Sequence, residues 1–140
     1  MIGSINIALM AAAEQGEPKA QYELGVMFDK GRGVTQNWAM AADWYRKAAS
    51  QNHVNAQYNL GLMYFSGQGV EQNFSAAVHW YLQASNQGHA DAQYNLGLMY
   101  AEGQGVERDS ALALYWHKKA TEQGLLGKPE WDEDGYWPPS

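Results

Sequence analysis

The stretch AQYELG at residues 20–25 recurs as AQYNLG at residues 56–61 and again at residues 92–97, so the copies lie 36 residues apart. A second motif keeps the same interval and occurs as GRGV at 31–34, GQGV at 67–70 and GQGV at 103–106. Self-similarity at one fixed period of this length is typical of solenoid repeat proteins. The repeat is therefore the main organising feature of the chain.

Each repeat is predicted to contain two helices. The first, the A helix, is about 12 residues long, because apolar residues recur at helical spacing: Ala20, Leu24, Phe28; Ala56, Leu60, Tyr64; and Ala92, Leu96, Tyr100. The Gly-x-Gly-Val turn ends it, since glycine tolerates positive φ. The second, the B helix, starts at about 38, 74 and 110 after the N-cap candidates Asn37, Asn73 and Asp109, and ends near Gln51, Gln87 and Gln123.

A glycine lies in the middle of every A helix, at Gly25, Gly61 and Gly97. Glycine in a helix interior costs about 1 kcal/mol relative to alanine. Its repetition therefore predicts close packing against an aromatic residue of the B helix. The tryptophans at one B-helix position, Trp44, Trp80 and Trp116, are the expected partners.

The motifs AxxxLGxxY/F, GxGV, AxxWY and AAxxG together resemble the Sel-one-like repeat family, which is related to the tetratricopeptide repeats. The resemblance covers residues 17–124. It implies an all-α fold of the α/α superhelix class, a right-handed solenoid of antiparallel helix pairs whose concave groove is lined by the A helices.

The expected organisation is three repeats between two atypical ends. The repeats are residues 17–52, 53–88 and 89–124, and residues 1–16 match the end of a B helix and are predicted to form an N-terminal capping helix. Residues 125–140 leave the pattern and combine aromatic with acidic side chains. This tail is predicted either to cap the last repeat or to enter a neighbour's groove and form a homodimer.

By resemblance to tetratricopeptide units, the residues around each Leu-Gly pair face the groove. The candidate partner-binding residues are Tyr22, Glu23, Tyr58, Asn59, Leu62, Phe65, Tyr94, Asn95 and Leu98, with Val26, Asp29 and Ala101 at related positions. The resemblance implies that Asn59 and Asn95 hydrogen-bond a bound peptide, and Asn59→Ala is expected to leave folding almost unchanged. The tyrosines either contact the ligand or pack between A helices. Phe65 lies at a repeat position where the residue type differs from one repeat to the next, and it is expected to influence partner choice.

Composition excludes several classes of function. The net charge of -6 and the pI near 5.0 argue against nucleic acid or an anionic membrane as the partner. The chain has no cysteine, which excludes disulfides and thiolate metal sites. No membrane span is expected. These features fit the cytoplasm, with a periplasmic or secreted location as the alternative if the N-terminus is truncated.

No catalytic or metal site is predicted. The four histidines His53, His79, His89 and His117 do not form a converging ligand set, since the first two share one repeat position and the others lie on B helices. The Gly-x-Gly segments lack the lysine of a phosphate-binding loop, and no serine occurs in a nucleophile motif. No cofactor is therefore expected.

The resulting prediction is a non-catalytic adaptor or scaffold that binds a protein or peptide segment in its groove, with the family's bacterial signalling and secretion settings as context. An inhibitor or immunity-type protein is one alternative, because an acidic surface suits a basic target. A small-molecule-binding enzyme is a second alternative, which would need titratable groups converging in one pocket.

Overall fold

The computed structural model describes residues 4–124, and the secondary structure in this range is helical. The helices are α1 (Ser4–Glu14), α2 (Pro18–Lys30), α3 (Trp38–Ala49), α4 (Val54–Ser66), α5 (Phe74–Asn86), α6 (Ala90–Glu102) and α7 (Ser110–Glu122). They fall into two compact units, one with α1 to α4 within residues 1–72 and one that starts at residue 73 and contains α5 to α7. The all-α fold predicted from the repeat is confirmed.

The B helices begin at the predicted N-caps. The Asn37 Oδ1 atom accepts a hydrogen bond of 3.1 Å from the backbone amide of Met40. Asn73 and Asp109 make the equivalent bonds at the starts of α5 and α7, at 3.0 Å each. These side chains satisfy amide groups that the first helical turn leaves without an intrahelical partner.

The A helices end at the first glycine of the Gly-x-Gly-Val turn. Gly31 adopts a left-handed conformation with φ of 69°, and its amide bonds back to the carbonyl of Met27. An L side chain is strained in this conformation, which explains the glycine at that position of every repeat. The A helices α2, α4 and α6 are 13 residues long, one more than expected.

The first unit packs α1 on α2, α2 on α3 and α3 on α4. Its buried apolar residues are mostly small: Ala13, Ala20, Leu24, Phe28, Ala41, Ala42, Tyr45, Ala48, Ala49, Ala56, Leu60 and Met63. Alanine at so many contact positions allows the helix backbones to approach closely. The predicted N-terminal helix is present as α1, where Leu9, Met10 and Ala13 pack with Ala20 and Leu24 of α2.

The aromatic residue that packs on the mid-helix glycine of α2 is Tyr45, one position after the expected Trp44. Tyr45 is completely buried, whereas Trp44 is half-buried and carries the Lys47 ammonium 4.4 Å above its ring. A Cβ atom added to Gly25 would lie 2.5 Å from Tyr45 ring carbons. The expectation for Trp44 was therefore wrong, because the buried position beside Gly25 belongs to Tyr45. In the next repeat Trp80 is also half-buried and Tyr81 buried, and the packing partner of Gly61 stays a prediction.

The second unit packs α5 on α6 and α6 on α7. Its buried apolar residues are Ala77, Val78, Tyr81, Ala84, Ala92, Leu96, Met99, Ala101, Ala113, Trp116 and Ala120. His117 occupies the position of Tyr45 and Tyr81 and is also buried. Here the tryptophan is buried as well, and its Cβ atom lies 3.6 Å from the place of a Cβ added to Gly97.

Buried glutamines tie the A helices to the helix before them. Gln21 donates from Nε2 to the carbonyl of Ala13 at 3.1 Å, and Gln57 and Gln93 make the same bond to Ala49 and Ser85. All three glutamines are at most 5% exposed. The glutamine in the repeated AQY motif is therefore structural, since its buried side-chain amide needs a hydrogen-bond partner and finds one in a carbonyl at the end of the preceding helix.

Other glutamines link one repeat to the previous one. Gln51 donates from Nε2 to the carbonyl of Gly16 at 2.8 Å and to Oε1 of Gln21 at 2.9 Å. Gln123 makes the corresponding bonds to Gly88 and Gln93, again at 2.8 and 2.9 Å. In the first and third repeats, the residue after the B helix is thus joined to the turn before the repeat and to the buried glutamine of its A helix.

The helices within residues 4–124 include none that is long and apolar enough to cross a membrane. The predicted C-terminal cap or tail, residues 125–140, lies outside the described residues, as does the proposed dimer contact.

Replacement of Gly25 by alanine should destabilise the protein although alanine is the better helix former. We expect a loss of about 1–3 kcal/mol from overpacking against Tyr45. In a Tyr45→Ala background the same change should instead stabilise by up to about 1 kcal/mol, because the clash is gone. Urea unfolding of the four variants gives the comparison, and equal effects of Gly25→Ala in both backgrounds would contradict this packing.

Candidate functional site

A groove with a volume of about 370 Å³ lies in the first unit, between α2 and α4. Its lining residues are Tyr22, Val26, Asp29, Lys30, Tyr45, Asn59, Leu62, Met63 and Gln68. Tyr45 belongs to α3, so the B helix contributes to a groove formed mainly by A helices. The groove is thus mixed in character, with apolar side chains beside a carboxylate and two side-chain amides.

Helical spacing explains why these side chains share one face. On α2, Val26 lies four residues after Tyr22, and Asp29 and Lys30 lie three and four residues after Val26. Residues at such spacing lie on the same face of a helix. The other face of α2 carries the buried core residues. The same spacing places Asn59, Leu62 and Met63 of α4 on the opposite wall.

The Tyr45 hydroxyl lies in the groove, next to polar side chains of both walls. It donates a hydrogen bond of 3.0 Å to Oδ2 of Asp29 on α2, and Asn59 of α4 lines the groove with it. Burial, together with the adjacent Asp29 carboxylate, raises the pKa of Tyr45 far above its usual value. The hydroxyl therefore stays protonated and remains a hydrogen-bond donor to Asp29.

Tyr22 lies at the end of the groove between two other rings. Its ring stacks on His53 with 4.6 Å between centroids and an interplanar angle of 22°. It also contacts Tyr45, at 5.8 Å between ring centroids. Tyr22 is thus held by the packing between neighbouring repeats while it lines the groove.

His53 caps α4. Its Nδ1 atom accepts a hydrogen bond of 3.2 Å from the amide of Ala56, and His89 caps α6 in the same way through Ala92 at 3.1 Å. Only an imidazole without a proton on Nδ1 can accept this bond. Burial lowers the pKa of both histidines, and Asp91 opposes the shift at His89.

One family model matches three consecutive segments of the chain. The model of the Sel1 repeat family matches residues 18–53, 54–89 and 90–125. The chain belongs to the Sel1 repeat family. Each Sel1 match holds one A helix and one B helix, and its bounds begin one residue after those expected from the sequence. Proteins with Sel1 repeats are generally protein-interaction modules.

Solved structures of other Sel1 repeat proteins are similar to this chain. A Sel1 repeat protein from Oxalobacter formigenes has 42% identity and a TM-score of 0.80, over 84% of this chain and 49% of that one. A protective antigen of uropathogenic Escherichia coli with an SLR fold has 46% identity and a TM-score of 0.79, over 84% of this chain and 25% of that one. Helicobacter pylori cysteine rich protein B has 26% identity and a TM-score of 0.65, over 95% and 96%. The α/α superhelix fold class is confirmed.

Among curated proteins, the chain is similar to the secretory immunoglobulin A-binding protein EsiB of Escherichia coli O6:H1, strain CFT073. The two are 45% identical over 48 residues, which is 34% of this chain and 10% of EsiB. The chain thus matches about a tenth of the length of this relative.

The groove brings together three of the predicted partner-binding residues, Tyr22, Asn59 and Leu62, and two related residues, Val26 and Asp29. Leu62 is 38% exposed although it is apolar. Asn59 is half-buried on the wall formed by α4. The expectation that Asn59→Ala leaves folding almost unchanged stays a prediction.

The other predicted residues do not line this groove. Glu23 is exposed on α2, and Tyr58 and Phe65 are half-buried on α4. In the second unit, Tyr94 packs on His117 with 5.4 Å between ring centroids. Tyr94 and Leu98 also pack on the buried pair Ala101 and Ala113, and Asn95 is half-buried.

Sequence reasoning missed four groove residues. Lys30 and Met63 continue the helical spacing from Val26 and Asn59 by one turn, so a longer projection along each helix would have found them. Gln68 lies in the Gly-x-Gly-Val turn. Tyr45 was missed because the preceding residue, Trp44, is the one predicted to pack on the mid-helix glycine.

The histidine caps predict stability that depends on pH. Because the folded pKa of each histidine is below the unfolded value near 6.5, the unfolded chain binds protons first as pH falls. The stabilisation is therefore complete above about pH 6.5 and decreases below it. Wild type should lose about 1 kcal/mol more between pH 7.5 and 5.5 than the His53→Asn, His89→Asn variant.

Thermal melts at the two pH values measure this difference. The asparagine variant retains neutral N-caps and still contains buried His117, so it isolates the contribution of the two caps. An equal loss of stability in both proteins would show that the caps do not titrate.

Proposed function

We propose that this protein is a non-catalytic interaction module that binds a segment of a partner protein in the groove between α2 and α4. The observation that carries the proposal is the groove itself. Its lining combines the apolar Val26, Leu62 and Met63 with the polar Asp29 and Asn59. Binding sites for peptides are usually concave surfaces in which apolar contacts supply affinity and a few polar groups supply orientation.

Two further observations support a protein ligand. Sel1 repeat proteins generally act through protein interactions, and the similar EsiB is named for binding secretory immunoglobulin A. One wall of the groove is also held in place, because the Tyr45 hydroxyl of α3 bonds to Asp29 of α2. A preformed surface loses little conformational entropy when a ligand binds.

A non-catalytic role is consistent with the placement of the ionisable groups. Within the described part of the chain, no group of three or more histidine, aspartate or glutamate residues could hold a metal ion. In the groove, Asp29 and Tyr45 are bonded to one another and Lys30 is exposed. These groups form a binding surface and not a set of acid, base and nucleophile.

Binding of peptides from a random 12-residue phage-displayed library tests the proposal. We expect enriched peptides whose affinity falls at least about tenfold in Leu62→Asp, because the change places a charge in the apolar part of the groove. Leu112→Asp is the matched control, since Leu112 is also 38% exposed but lies on α7. Fluorescence polarisation measures affinity, and circular dichroism checks folding.

Two results would overturn the proposed function. One is a library selection that yields no binding peptide. The other is a set of peptides whose affinity is unchanged by Leu62→Asp, or is reduced equally by Leu62→Asp and Leu112→Asp.

A further inference from the structure

Asp29 is the carboxylate of the groove, and its hydrogen-bonding capacity is mostly unused. Its Oδ2 atom accepts the Tyr45 hydroxyl at 3.0 Å. A carboxylate has two oxygens with about four acceptor positions. Within residues 7–124, Asp29 takes part in no ion pair. A negative charge therefore remains in the groove without a cation bonded to it.

The Sel1 fold does not require a carboxylate at this position. The residues 36 positions later in each following repeat are Phe65 and Ala101, which are half-buried and buried. A neutral side chain thus serves the packing in two of three repeats. Asp29 distinguishes the first repeat from the others and is available for recognition.

The neighbours of Asp29 favour a large cation with several donors. Asn59 lines the opposite wall, and the carbonyl oxygen of its side-chain amide is an acceptor. Leu62 and Met63 supply apolar surface beside these acceptors. An arginine side chain has a planar head with five N–H donors and an alkyl stem that packs on apolar groups.

Lys30 also lines the groove and opposes a cationic ligand. It is an exposed residue at the last position of α2, so solvent screens its charge. Its effect on a basic ligand is therefore a weak repulsion, which makes it a second test of the charge of the ligand.

We propose that the groove binds an arginine side chain of the partner segment, with its guanidinium on Asp29 and Asn59 and its stem against Leu62. This inference rests on the proposed function, because it names the residue that the bound segment presents. Lysine fits less well, since its compact ammonium has three donors and is more strongly hydrated. The acidic net charge of -6 also favours a basic partner.

The test uses nonapeptide libraries with blocked ends, random flanks and a fixed central residue. The central residue is arginine, lysine, glutamate or citrulline, which is the neutral isostere of arginine. With wild type we expect the arginine library to bind at least about tenfold more tightly than the citrulline library, as for a charge-assisted contact. Fluorescence polarisation provides the affinities.

Variants then assign the preference to Asp29. Asp29→Asn keeps an acceptor for Tyr45 and should remove the preference for arginine over citrulline. Glu14→Gln, which removes an exposed carboxylate at the end of α1, should retain it. Lys30→Ala should tighten binding of the arginine library by about twofold, which gives a second readout if Asp29→Asn does not fold.

The outcomes separate this inference from the proposed function. Peptides that need Leu62 but prefer citrulline or glutamate, or keep their arginine preference in Asp29→Asn, would overturn the arginine site alone. Lys30→Ala that weakens binding would also overturn it. Failure of every library to bind would overturn both.

Discussion

The close approach of the two helices within a repeat is the constraint on which the rest of the structure depends. In the first repeat, Gly25 of α2 lies against the Tyr45 ring, and alanines fill most of the surrounding contacts. Small side chains bring the helix axes near one another, so the tyrosine extends past the interface. Its hydroxyl thereby reaches the groove and bonds to Asp29. Tyr45 thus both packs between the helices and lines the groove.

The helices could be predicted from the sequence because each boundary depends on local chemistry. Asn37, Asn73 and Asp109 cap the B helices as expected, and the Gly-x-Gly-Val turn ends the A helices. Such signals are contained within a few consecutive residues. The N-cap role of His53 and His89 was not predicted, since histidine is not among the residues that usually cap helices and accepts the bond only through an unprotonated Nδ1.

The site was predicted in part, for reasons that follow from periodicity. Spacing identifies the face of a helix, and it placed Tyr22, Asn59 and Leu62 near one another. It cannot choose between Trp44 and Tyr45, because adjacent residues differ by only about 100° around the helix axis and both are large. In the structure Tyr45 is the buried residue, and its hydroxyl therefore takes part in the hydrogen bonding of the groove.

The glutamine bonds between repeats limit how such a chain can change in length. Gln51 and Gln123 each reach back 35 residues to the carbonyl of a glycine that precedes their repeat, and 30 residues to the buried glutamine of the A helix in their own repeat. Duplication or loss of a whole unit would preserve every one of these donor and acceptor pairs. Insertion of a single residue would separate them, so arrays of this kind grow and shrink in complete modules.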